Sequence, residues 1–79
     1  MIPQNIKESL DRYVEDKIPT GGFLRSVLAN DLMEAFGRAD IYNRKVMFDI
    51  CSYIHNHMPM TSWGSYEIVD EWLKRKAGE

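Results

Sequence analysis

A chain of 79 residues, 44% hydrophobic and 28% charged, has room for one domain, near the lower size at which a single apolar core suffices. That balance excludes a disordered chain, and no stretch approaches the roughly 20 continuous apolar residues of a membrane span. Ten Lys and Arg stand against twelve Asp and Glu, for a net charge of -2, and the bases are scattered except at Lys74, Arg75 and Lys76, which disfavours nucleic acid as a partner.

Pro3 suits the first turn of a helix, where a missing N–H costs nothing, and the pattern predicts a first helix from about Pro3 to about Lys17. Ile6, Leu10, Tyr13 and Val14 recur at three- and four-residue steps, and Ile18 completes the stripe. Glu8, Arg12, Glu15 and Asp16 take the solvated side. Pro19 then biases Ile18 away from helical angles, and Gly21-Gly22 opens a turn. Thr20 is the expected N-cap of a second helix. The N–H groups of Gly21, Gly22 and Phe23 also suggest an anion site, but no lysine of phosphate-loop spacing follows, so a tight interhelical turn is the favoured reading.

The second helix is predicted over about Gly22 to Phe36, with Phe23, Leu24, Val27, Leu28, Leu32, Ala35 and Phe36 as its apolar set. Asp31 falls between Val27 and Leu24 on that wheel, where an unpaired carboxylate is expensive. Its expected partner is a Trp63 or Trp72 indole N–H, a tyrosine hydroxyl or Arg38. A structural hydrogen bond is favoured over a general base, because no second catalytic group accompanies it. Gly37 is expected to close this helix and Asp40 to cap the next. The short turn between them, with Asn43, Arg44 and Lys45 beyond it, has the outline of a helix-turn-helix DNA reader, although Asp40 and Asp49 flank the bases.

Ile41 to Met58 is the most apolar helix-like stretch and is expected to form a third, central helix. Val46, Ile50, Tyr53 and Ile54 make its stripe, Met47, Cys51 and Met58 widen it, and Phe48 and Ile41 lie beyond the edge. Cys51 and His55 share a face, but His57 lies on the opposite flank, so a metal site is not expected; Cys51, the sole cysteine, has no disulfide partner. Pro59 ends the helix, Met60 to Gly64 form a loop, and Ser65 caps a fourth helix. Ile68, Val69, Trp72 and Leu73 form its dry face. Glu67 near its start and Lys74, Arg75 and Lys76 at its end agree with the helix dipole, and Ala77 to Glu79 are expected to fray. The expectation is an all-α, compact four-helix single domain over residues 1–79.

Arg12-Tyr13-Val14-Glu15, Thr20-Gly21-Gly22-Phe23-Leu24, Asn30-Asp31-Leu32, Gly37-Arg38-Ala39-Asp40 and Trp63-Gly64-Ser65 together resemble a group of small uncharacterised bacteriophage and prophage proteins. The likeness covers nearly the whole chain. It implies a viral or mobile-element origin and work in the bacterial cytoplasm, a setting that the single cysteine and the absence of a signal-like N-terminus also suggest. The group often carries proline after the serine of Trp-Gly-Ser, where this chain has Tyr66.

No Ser/His/Asp or Cys/His arrangement and no recognisable carboxylate pair emerges, so no catalytic residue and no cofactor is expected. The leading expectation is a non-enzymatic protein that binds a host or phage protein, including as an inhibitor of a host system. Ile41, Phe48, Met60 and Trp63 are its candidate anchors, although Trp63 suits the core better. Asp31, Thr20, Asp40 and Ser65 are the expected structural polar residues. The alternatives are a helix-turn-helix-like regulator and a self-associating structural protein in which the apolar excess of the third helix is a homodimer interface.

Overall fold

Ile6, Leu10 and Tyr13 all point inward from α1, Gln4–Asp16, as their spacing requires. A computed structural model describes residues 1–75, and among these every regular element is helical. After α1 come α2, Gly22–Leu28, and α3, Leu32–Arg38; then α4, Ile41–Lys45, α5, Met47–His57, a 3₁₀ turn at Met60–Ser62, and α6, Tyr66–Lys74. They fold into one body of 35 × 23 × 19 Å.

Six α-helices replace the four expected, because two predicted helices are divided. The first division falls at Ala29 to Asp31. Asn30 enters the left-handed region at φ 61°, which asparagine tolerates better than most residues. Asp31 N–H reaches the Ser26 carbonyl at 2.9 Å and Asn30 N–H the Val27 carbonyl at 3.1 Å. This is the six-to-one, five-to-two closure of a Schellman motif, so α2 ends by satisfying its own last carbonyls. The second division is at Val46, φ -105° and ψ 13°, and is milder. Val46 N–H still reaches Tyr42 and Ile50 N–H reaches Val46, at 3.3 and 3.0 Å.

The core is shared rather than wrapped around one rod. Leu10 and Tyr13 of α1, Leu28 of α2, Ile50 of α5 and Val69 of α6 are all essentially without solvent contact. The densest burial lies on α2, where Leu24, Ser26, Val27 and Leu28 are all covered. Ile50 and Ile54 do enter the core, while Val46, Cys51 and Tyr53 pack against it half-buried.

Buried polar groups hold these elements in register. Tyr13 Oη donates to the Ser62 carbonyl at 2.7 Å, and Trp72 Nε1 donates to the Tyr13 carbonyl at 3.0 Å. Gly64 N–H donates to the Leu28 carbonyl at 2.7 Å, tying the segment before α6 to the end of α2. Gly64 has φ 132°, a backbone conformation that side chains resist. Every buried side-chain nitrogen and oxygen among the described residues has a partner.

The expected caps divide in the same way. Asp40 accepts the Asn43 N–H at 2.8 Å and Ser65 accepts the Ile68 N–H at 3.1 Å, so both cap as expected. Thr20 does not. Gly21 occupies the N-cap position of α2, and Thr20 Oγ1 donates to the Gly21 carbonyl at 3.2 Å instead. Gly37 lies inside α3, which continues to Arg38 and ends at Ala39. Lys74 stands in the last turn of α6; Lys76 and Ala77 to Glu79 lie outside the described residues. No helix among the described residues is long and apolar enough to cross a membrane.

Candidate partner-binding face

The break at Asn30 resets the helical phase, and this decides which side chains reach solvent. Leu32 and Phe36, which the unbroken wheel places inside, are exposed on α3 together with Met33, whereas Ala35 turns inward. α4 buries nothing and exposes Ile41 and Tyr42, and Phe48 follows in the first turn of α5. Over the stretch from Leu32 to Phe48 the buried residues are Ala35, Ala39 and Met47. α3 therefore buries one alanine, Ala39 is buried between the two short helices, and their large apolar side chains are held outward.

The four candidate anchors do not meet on one surface. Ile41 of α4 and Phe48 of α5 are 63% and 80% exposed. Met60, also exposed, lines a separate groove with Ile68, Glu67, Glu71 and Arg75. Trp63 is half-buried against the core and donates through Nε1 to the Met58 carbonyl at 3.4 Å. Its ring borders a cleft of about 200 Å³ with Val27, Asn30, Cys51, Ile54 and His55. The sequence reading missed Leu32, Met33, Phe36 and Tyr42. Asn30-Asp31, two turn-forming residues in succession inside an otherwise helical pattern, is the signal that points to the break.

Asp31 does take a tyrosine hydroxyl as its partner, but it stands half-exposed in the turn before α3 and not on a packed helix face, because the break at Asn30 removes it from the wheel. Tyr66 Oη donates to Oδ2 at 2.8 Å, joining the start of α3 to the start of α6. The Arg25 guanidinium lies 5.2 Å from the Tyr66 ring centre and pairs with Asp70 at 2.9 Å, while Arg38 pairs with Glu34 at 2.8 Å. Arg25, Asp31, Glu34, Arg38 and Tyr66 line a polar hollow of about 190 Å³ with Gly22 and Ser26. Its two arginines are each engaged by a carboxylate, and a side chain at position 22 would meet Arg38 Nη1 at 2.9 Å. The N-terminus of α2 is thus occupied by this chain's own cation.

On the other side of the molecule, Tyr53 Oη donates to Asp11 Oδ1 at 2.6 Å and Lys7 pairs with Asp11 Oδ2 at 2.9 Å. The Lys7 and Tyr53 hydrogen bonds hold the Asp11 carboxyl below its ordinary range, and Asp11 in turn pushes the Tyr53 hydroxyl up. Burial raises the Cys51 thiol above its ordinary value. His55 contacts Asn56 and the Trp63 ring, and His57 lies beside the Tyr53 ring. Among the described residues no three His, Cys, Asp or Glu side chains group closely enough to hold a metal ion.

α3, α4 and the first turn of α5 thus carry six exposed large apolar side chains, Leu32, Met33, Phe36, Ile41, Tyr42 and Phe48. Neither the sequence nor the fold matches a family model, a curated protein or a solved structure.

Proposed function

We propose that this chain is a small non-enzymatic protein of bacteriophage or prophage origin that works in the bacterial cytoplasm by binding a host or phage protein through the face running from Leu32 to Phe48. The observation that carries the reading is the exposure of Met33, Tyr42 and Phe48, at 86, 75 and 80%, on three successive helices. Large apolar side chains held outward in this number suit anchors that fill pockets on a partner. The non-enzymatic part rests on the sequence, which offers no nucleophile with an adjacent base.

The test uses the whole chain as bait in bacterial lysate, alongside Met33→Asp, Phe48→Asp and Met60→Asp. A partner recovered with wild type and Met60→Asp, lost with the other two, and then bound as a purified component supports the reading. Recovery unaffected by Met33→Asp and Phe48→Asp overturns the face.

A second reading draws on the α2–turn–α3 unit, in which a short covered helix, a three-residue turn and an outward helix repeat the outline of a helix-turn-helix. It is the weaker of the two. The outward side of α3 presents Leu32, Met33 and Phe36, and its one base, Arg38, is paired with Glu34. Retention on random duplex DNA at low salt would favour this reading, and no retention would dispose of it.

A further inference from the structure

We draw no further inference here: the strongest candidate, the groove between the Met60–Ser62 turn and α6, has Glu71 engaged by Lys74 and Arg75 by the Trp72 ring, and nothing in the structure shows what covers Met60 and Ile68 within it.

Discussion

Tyr13 is fully buried and gives its hydroxyl proton to the Ser62 carbonyl at 2.7 Å, across 49 residues of sequence. One bond thus fixes α1 against the turn that precedes α6, and the Trp72 indole returns the tie by donating to the Tyr13 carbonyl. Tyr13→Phe keeps the ring and strands the Ser62 acceptor. The expected cost is about 1–3 kcal/mol, read as a lower urea midpoint with unchanged slope.

The same hydroxyl makes stability sensitive to alkali. Burial raises Tyr13 well above the ordinary tyrosine value, the Asp11 hydrogen bond raises Tyr53, and burial raises Cys51. All three hold protons in the folded chain that the unfolded chain releases first. Their stabilisation is therefore complete below the unfolded values, near 9 for the thiol and 10 for the phenols, and is lost as pH rises through them. Urea midpoints measured from pH 7 upward should fall from about pH 9, and less steeply in Tyr13→Phe. A flat profile would contradict the assignment.

The caps supply a contrast that needs only three alanines. Ser65→Ala and Asp40→Ala each remove a side chain that accepts a helix N–H, and each should cost about 1 kcal/mol. Thr20→Ala removes a hydroxyl that caps nothing. It should leave the thermal midpoint where it is, and a loss equal to that of Ser65→Ala would restore Thr20 as the cap of α2.

What the sequence made legible follows from how local each cause is. The stripes of α1 and α6, the caps at Asp40 and Ser65 and the stop at Pro59 depend on a few neighbours, and they can be read without coordinates. The division at Asn30 depends on whether the chain gains more by continuing a helix or by closing it, and helical periodicity runs through Asn30-Asp31 without a gap. Once the division is missed, Leu32 and Phe36 are assigned to the core and their exposure on α3 goes unseen, although Ala35, Ile50, Ile54, Val69 and Trp72 are buried as expected. Tyr66 was equally opaque. Its hydrogen bond to Asp31 requires knowing that α3 and α6 start side by side.

The division can be tested at its hinge. Asn30 sits at φ 61°, where a β-carbon is crowded and asparagine is tolerated for its short polar side chain. Asn30→Ala should cost about 1 kcal/mol, whereas Asn30→Gly should match wild type or exceed it. If α2 and α3 were one continuous helix, the order would reverse, because alanine is the better helix former by about 1 kcal/mol over glycine. Thermal melts of the two variants decide between these geometries.

Phe48 and Ile50 lie two residues apart on α5 and separate stability from contact. Ile50 has no solvent exposure, so Ile50→Ala removes buried methyl groups and leaves a cavity, at an expected cost of about 2–5 kcal/mol. Phe48 is 80% exposed, and Phe48→Ala should change stability by no more than about 0.5 kcal/mol in dilute solution. A large cost of Phe48→Ala in dilute solution would mean that the ring serves the monomer fold, and the face from Leu32 to Phe48 would lose one of its principal anchors.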